Sequence, residues 1–451
     1  LKDYKDCFLL VYRCNRFLKR VNITLTDMYK TTERERALLV MVEVEREKEH
    51  WPKEILAEEF KNLVLSTGID VEDLVFVKRK TLSPSLYIGK GKVEELASAV
   101  KEKNINVVIF NNNLRFTQAA NLEDIFGVKT IDRTQLILDI FSRHAHTQEG
   151  SLQVELAQLE YLLPRLKGQG IMLSRLGGGI GTRGPGEKKL EVDRRRISEH
   201  IIRLKKDLEE LRHHRETMRK KREKKKIGIC SLVGYTNAGK STLFNALTES
   251  GEKTSSDLFT TLDTVSHVLV LHNNLRIILT DTVGFLYKLP HSLIEAFKAT
   301  LEELNYADLL IHIIDAASPD ITRLMKSVNS ILKELNLTSK PTLLVFNKID
   351  DLSQSELDEL KNDYPQGIFI SALRRENLDF LKEKIYENLF KDNLEAILTF
   401  PFSLMEVVDY IHKNCEVLKT NYRESEVVYW VRTSVDKLAY LKNRGVQIKE
   451  I

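Results

Sequence analysis

Gly234-Tyr235-Thr236-Asn237-Ala238-Gly239-Lys240-Ser241 follows an apolar run at residues 227–233 and leads through Thr242 into the helix-like Leu243-Phe244-Asn245-Ala246-Leu247. Glycines at both ends of such a loop let successive backbone N–H groups turn toward one centre, and a helix starting there adds the positive end of its dipole. This is a cradle for phosphate. Within it the Lys240 ammonium meets the β- and γ-phosphates and the Ser241 hydroxyl can bind magnesium. A glycine loop of this kind also arises by chance, so the flanking strand and helix matter as context.

Two further motifs sit at the ends of later apolar runs. Asp281-Thr282-Val283-Gly284 follows Ile277-Ile278-Leu279, which sets a carboxylate at the carboxyl end of a strand neighbouring the cradle. There Asp281 can hold magnesium through a water while the Gly284 N–H faces the γ-phosphate. Asn347-Lys348-Ile349-Asp350 ends the run Leu343-Leu344-Val345-Phe346. A carboxylate such as Asp350 can accept from the two N–H donors on the guanine edge, whereas adenine would leave it desolvated and unpaired; GTP is therefore favoured over ATP. Ser371-Ala372-Leu373, after Ile368-Phe369-Ile370, is expected to add backbone contacts to the base. Each motif is commonplace alone, and the reading rests on their order and on their places at strand ends.

Between the cradle and Asp281 lies Phe259-Thr260-Thr261-Leu262-Asp263, expected to be a loop that delivers a hydroxyl to magnesium when the γ-phosphate is present. Thr261 is chosen over Thr260, which gives Lys240, Thr261 and Gly284 as the catalytic set and Ser241, Thr261 and Asp281 as the metal set. After Gly284, where many small GTPases carry a glutamine that orients the attacking water, this chain has Phe285. Phenylalanine can do no such work, so hydrolysis is expected to be slow alone and to need a partner that orders the loops or donates a group. A plainer reading has Phe285 packed inward while another side chain places the water.

These motifs require a doubly wound sheet, and residues 227–393 alternate strands and helices as such a domain does. Residues 36–143 read as a smaller, largely parallel α/β domain, with apolar runs at 38–42, 74–77, 107–110 and 128–131 and helices at 55–65 and from Val93. Over 144–226 the period changes. Leu152, Leu156, Leu159, Leu163 and Leu166 recur at helical spacing; Leu190, Ile197, Leu204, Leu211 and Met218 recur every seven residues, with Ile201 and Leu208 as an alternate seam. A long antiparallel helical hairpin around a glycine-rich loop is predicted, with Pro164 kinking or ending its first helix near Leu163. Residues 394–451 read as a small α+β domain with strands at 397–400, 415–422 and 426–433, and residues 1–35 as an N-terminal extension with no assigned function.

Net charge is only +4, but residues 188–226 hold 17 Lys/Arg against 8 Asp/Glu. Lys188, Lys189, Arg194, Arg195 and Arg196, beside Gly178, Gly179 and Arg183, could neutralise RNA phosphates while the small residues let backbone approach closely. A charge run is ordinarily a solvated helix face, and the residues alone leave both readings open. Lys90 and Lys92, in a glycine-flanked turn before a helix, fit either a phosphate site or a plain helix start. Trp51 and Trp430 read as packing residues. No window reaches membrane-spanning length without charges, and no lipid anchor is visible, so a cytoplasmic chain is expected and membrane remodelling disfavoured. Cys7, Cys14, Cys230 and Cys415 form no C-x-x-C pair, which suggests neither a disulfide framework nor a zinc site.

Three further segments point to one family. Tyr87-Ile88-Gly89-Lys90-Gly91-Lys92-Val93-Glu94-Glu95-Leu96, the run Asp132-Arg133-Thr134-Gln135-Leu136-Ile137-Leu138-Asp139-Ile140-Phe141, and above all Gly178-Gly179-Ile180-Gly181-Thr182-Arg183-Gly184-Pro185-Gly186-Glu187 resemble the HflX-type GTPases, as does Asp281-Thr282-Val283-Gly284-Phe285. The resemblance covers residues 36–451 and departs from the family's pattern at Lys188-Lys189, at Thr264 and between Asn111 and Gln118. It implies an α/β N-terminal domain, a helical hairpin, a GTPase domain with GTP/GDP and magnesium, and a small C-terminal domain. It further implies a monomer that binds the large ribosomal subunit, RNA and protein, and splits stalled or idle ribosomes, with the loop at about 173–190 approaching the peptidyl-transferase region. Part membrane association and an ATP-hydrolysing N-terminal region are attributed to some relatives, but 36–143 contains no second cradle. A switch that recruits a protein effector through the hairpin is the alternative.

Overall fold

The computed structural model describes residues 34–45, 51–176, 185–223, 228–248, 265–271, 275–286, 302–391, 394–423 and 425–450, with side chains at all of these but 166–176, 185–190, 214–223, 302 and 450. Thr261, Gly178, Gly179 and Arg183 therefore lie outside the described residues, as do the side chains of Lys188 and Lys189.

Near the start, β1 (Arg36–Val44), β2 (Asp70–Arg79), β3 (Val107–Phe110) and β4 (Lys129–Asp132) form a parallel sheet in the order β2-β1-β3-β4. Alternate residues of β1 serve opposite faces, because a central parallel strand is buried on both. Leu38 and Val40 pack with the helices Lys90–Glu102 and Phe116–Phe126, and Ala37, Leu39 and Met41 with Lys53–Leu65 and Arg133–His144. At the start of Lys90–Glu102, the Lys92 ammonium donates to Glu95 at 2.6 Å and Lys90 lies 3.8 Å from Glu94. These lysines thus engage their own first turns as in a plain helix start.

The hairpin consists of Gln148–Leu176 and Pro185–Glu223. At 1.5 Å per residue the second helix is about 58 Å long. Leu152, Leu156, Leu159 and Leu163 pack against Ile197, Ile201, Leu204 and Leu208, the seam read from the sequence. Of the two outcomes expected at Pro164, an end to the helix is not what occurs, since the first helix continues through it to Leu176. Proline in a helix interior costs about 3 kcal/mol, and anchors on both sides of it offset that. The Tyr161 hydroxyl donates to Asp132 at 2.7 Å and the Arg165 guanidinium to the same carboxylate at 2.8 Å. Asp132, 1% exposed, also accepts from the Leu114 and Gln135 N–H groups. We expect Asp132→Ala to destabilise this part of the chain by about 3–5 kcal/mol, because a half-buried guanidinium and three further donors lose their acceptor. Urea denaturation followed by circular dichroism would measure it.

The largest sheet joins β5 (Ile229–Gly234), β6 (Val265–Val270), β7 (Arg276–Asp281), β8 (Leu309–Asp315), β9 (Thr342–Asn347) and β10 (Ile368–Phe369) in the order β10-β9-β8-β5-β7-β6. All pairs are parallel except β6 with β7 at the edge. The carboxyl ends of β5, β7 and β9 consequently bring the sequence motifs to one end of the sheet, where open α/β sheets bind ligands.

The last sheet is antiparallel, with β11 (Leu394–Pro401), β12 (Glu416–Tyr422), β13 (Glu426–Thr433) and β14 (Gln447–Glu450) in the order β12-β13-β11-β14. Val407 and Ile411 from one helix and Leu438 and Leu441 from another fill its inner face. No helix among the described residues is long and apolar enough to cross a membrane.

Candidate nucleotide site

The cradle turns out of β5 into the helix Lys240–Thr248, and its backbone explains its glycines. A Cβ on Gly239, whose φ is +88°, would stand 2.2 Å from the Asn347 side-chain nitrogen, and one on Gly234 would stand 2.3 Å from the Ile313 carbonyl oxygen. Asn237, exposed at the tip, takes a left-handed φ of 61° that asparagine tolerates. Thr236 is buried and its N–H donates to the Phe285 carbonyl at 2.8 Å, while the Phe285 N–H donates to Gly234 at 3.1 Å. The loop is thereby tied to the segment that follows β7.

Lys240 is buried, and its ammonium donates to the Tyr235 carbonyl at 2.9 Å. Burial pushes its pKa down to about 8, against the opposing pull of Asp281. A cation so poorly solvated gains from an anion in the loop above it. Gly284 lies directly beside it, since a Cβ there would come within 2.9 Å of the Lys240 nitrogen. The Ser241 hydroxyl donates to Asp281 Oδ2 at 2.7 Å, and Asp281 Oδ1 accepts from the Thr282 N–H. A hydroxyl and a carboxylate side by side are the hard oxygen donors that suit magnesium, which takes its remaining ligands from water and phosphate. Thr242 occupies the first turn of the same helix.

At the end of β9, Asn347 braces the cradle rather than facing outward. Its side-chain N–H donates to the Ala238 carbonyl at 2.9 Å and its oxygen accepts from the Ala372 N–H at 2.9 Å. Lys348, at a left-handed φ of 69°, donates to Asp315 at 2.6 Å. Asp350 has a side chain only 7% exposed; Arg374 lies 3.7 Å from Oδ2, and Oδ1 is buried with no hydrogen-bond partner. A buried carboxylate oxygen with an unused lone pair is costly unless a donor arrives, and the guanine edge carries such donors. In the turn beyond β10, the Ser371 N–H donates to the Glu376 carbonyl and the Ser371 hydroxyl accepts from the Arg374 N–H, while Leu373 is exposed. The Ser371 and Ala372 N–H groups are thus engaged within the protein, which narrows the backbone donors that this turn offers a base.

Phe285 faces inward, in a core with Val233, Leu304, Ala307, Leu310 and Val328. The inward packing is the one the plainer sequence reading named, and it leaves no polar group at position 285 to orient a water. On β8, His312 is buried, with Nδ1 unpartnered. Burial, helped by the Lys240 charge, lowers its pKa to about 4. Its folded pKa lies below the ordinary value of 6.5, so the unfolded chain binds the extra proton. Stability should therefore fall as pH drops from about 6.5 to about 4, by roughly 3 kcal/mol. We expect His312→Leu to flatten that part of a stability-against-pH curve.

Sequence reasoning did not find the neighbours that pack on the cradle from β1–β4. Val283 and Leu286, on either side of Gly284 and Phe285, are buried in one core with Phe60, Ile137 and Phe141. Trp51, read only as packing, stacks on Tyr235, and Glu59 bonds the Tyr235 hydroxyl. The apolar character of Val283 and Leu286 around a functional glycine was the one available signal. Arg194, Arg195 and Arg196 are exposed on the second hairpin helix, remote in sequence from the cradle.

Residues 54–142, 144–222 and 229–348 match in turn the families described as GTP-binding GTPase N-terminal, GTP-binding GTPase Middle Region and 50S ribosome-binding GTPase. The GTPase HflX of Caldanaerobacter subterraneus subsp. tengcongensis is 46% identical over 395 residues, which are 88% of this chain and 90% of the relative. That of Escherichia coli is 42% identical, covering 76% and 81%. A GTP-binding protein from the archaeon Sulfolobus solfataricus, solved with GDP, is 27% identical over 79% of this chain and 99% of its own, with a TM-score of 0.44. Identity of 46% over 88% of the chain, on a fold that gathers the cradle, Asp281 and Asp350 at one end of a doubly wound sheet, places this α/β protein in the HflX family of GTPases, enzymes that hydrolyse GTP.

Proposed function

We propose that this GTPase binds the large ribosomal subunit and uses GTP to split or remodel stalled or idle ribosomes. Within the site, residues 234–242 enclose the phosphates and Lys240 neutralises the β- and γ-phosphates. Ser241 and Asp281 would hold magnesium, with Thr261 joining them when the γ-phosphate is present. Bound there, magnesium would supply positive charge to offset that of the phosphates. Gly284 offers its N–H to the γ-phosphate, and the glycine is needed because a side chain would meet Lys240. Asp350 selects guanine, Asn347 holds the cradle against the base site, and Lys348 and residues 371–373 frame the base.

The observation that carries the base assignment is the buried, unpartnered Asp350 oxygen. The ribosomal reading draws on the family match of residues 229–348 and on the exposed Arg194, Arg195 and Arg196, with Lys188, Lys189, Gly178, Gly179 and Arg183 preceding them in the sequence as further candidates for RNA contact. With Phe285 packed away from the phosphates, nothing at that position places the attacking water, which fits slow hydrolysis alone. Sedimentation over separated ribosomal subunits with GTP and with GDP tests this. The GTP form should pellet with large subunits, and those subunits should raise turnover many-fold. A chain that stays in the supernatant with either nucleotide would favour the effector-recruiting alternative.

A further inference from the structure

Tyr235, the second residue of the cradle, is held at both ends. Its carbonyl accepts from the Lys240 ammonium at 2.9 Å. Its hydroxyl donates to Glu59 on the helix Lys53–Leu65, and the other Glu59 oxygen pairs with the Arg133 guanidinium at the head of Arg133–His144. Arg133 donates further to Asn111 at 2.5 Å, just past β3. The Glu59 and Arg133 side chains are 8% and 5% exposed, and Trp51 lies over the Tyr235 ring with centroids 6.4 Å apart and planes 23° apart. A chain of contacts therefore runs from the ammonium that faces the phosphates into the four-stranded parallel sheet.

We propose that Tyr235 is a positioning residue through which the N-terminal sheet senses whether the phosphate loop is occupied, a reading that rests on residues 234–241 being that loop. A polyphosphate in the loop takes up the remaining N–H donors of the Lys240 ammonium and draws it toward the phosphate charge, which lengthens its bond to the Tyr235 carbonyl. Loosening that bond leaves the Tyr235 side chain held by Glu59 and Trp51 and its carbonyl by the Ala238 N–H at 3.3 Å, while the buried Glu59–Arg133 ion pair passes the shift on to both helices. The β-phosphate is present in diphosphate and triphosphate alike, so this coupling responds to occupancy and not to the γ-phosphate. By linkage it is reciprocal: loss of the Tyr235–Glu59 bond shifts affinity for both nucleotides by the same factor.

The test is amide hydrogen exchange on the full chain, empty, with magnesium and GDP, and with magnesium and a non-hydrolysable GTP analogue. Calorimetry on the same samples establishes binding. Exchange in 53–65 and 133–144 should change at least about twofold with either nucleotide relative to the empty protein. In Tyr235→Phe, which removes one oxygen and leaves the Glu59–Arg133 pair intact, affinity for GDP and for the triphosphate analogue should shift by one common factor, and at saturating nucleotide that change in exchange should be lost. Glu59→Gln keeps an acceptor for the hydroxyl and should retain part of it. Emission from Trp51 in a Trp430→Phe background provides a second readout and should shift with either nucleotide. Three results would overturn the proposal: a response to the triphosphate alone, bound nucleotide with no change in these helices, or a full response in Tyr235→Phe. A merely structural role would raise exchange in Tyr235→Phe by the same increment in both states and so leave the nucleotide-dependent change in place. Absence of any binding to the unaltered protein would instead reject the site assignment itself.

Discussion

Lys240→Ala is expected to lower GTP affinity and turnover at least about a hundredfold, the scale set by removing a single donor from developing phosphate charge. The ammonium is buried, bonded to the Tyr235 carbonyl and adjacent to Gly284, so no other side chain of the cradle can take its place. The substitution also leaves the Tyr235 carbonyl without this donor, though the fold should tolerate that, since a lysine this poorly solvated adds little to stability when the loop is empty. Measured rates of GTP hydrolysis with and without large ribosomal subunits would check the expectation. Turnover within about threefold of the unaltered enzyme would remove Lys240 from the phosphate site.

Asp350→Asn should turn the base preference from guanine toward xanthine. The carboxylate accepts two hydrogen bonds from a donor edge, and the amide presents a donor that clashes with the guanine amino group but suits the xanthine oxygen. Two charge-assisted bonds at about 2 kcal/mol each imply a loss in GTP affinity of about a thousandfold. Competition between GTP and xanthosine triphosphate in a turnover assay gives the answer. Because Asp350 lies 3.7 Å from Arg374 and its other oxygen is unpartnered, the exchange breaks only one weak internal contact, so lost activity would not reflect unfolding. Unchanged guanine selectivity would contradict the assignment.

The cradle was legible in the sequence because its chemistry is written in backbone constraints. Gly239 must lack a side chain to admit Asn347, and Gly284 to admit Lys240, so the spacing of glycines and the lysine is visible without a structure. The hairpin seam was legible for a similar reason, a period that only paired helices satisfy. Pro164 misled because local propensity says nothing about Asp132, which lies 29 and 33 residues away from the Tyr161 and Arg165 that it fixes. Strand β14 was missed because Gln447-Ile448-Lys449-Glu450 alternates too briefly to stand out from a polar tail. The contact between Glu59 and Tyr235 spans 176 residues and joins a polar surface-type residue to a loop tyrosine, a pairing that no periodicity or motif encodes. The base-contacting role given to residues 371–373 was only partly readable, since the Ala372 N–H belongs to Asn347.

Calorimetric titration of the folded chain with magnesium and either guanine or adenine nucleotides bears most directly on the claim that the cradle and Asp350 form one guanine-nucleotide site. GTP and GDP should bind one to one with clear heat, and ATP should give none at equal concentration. Binding of ATP in the loop of Lys240, with silence from GTP, would contradict it.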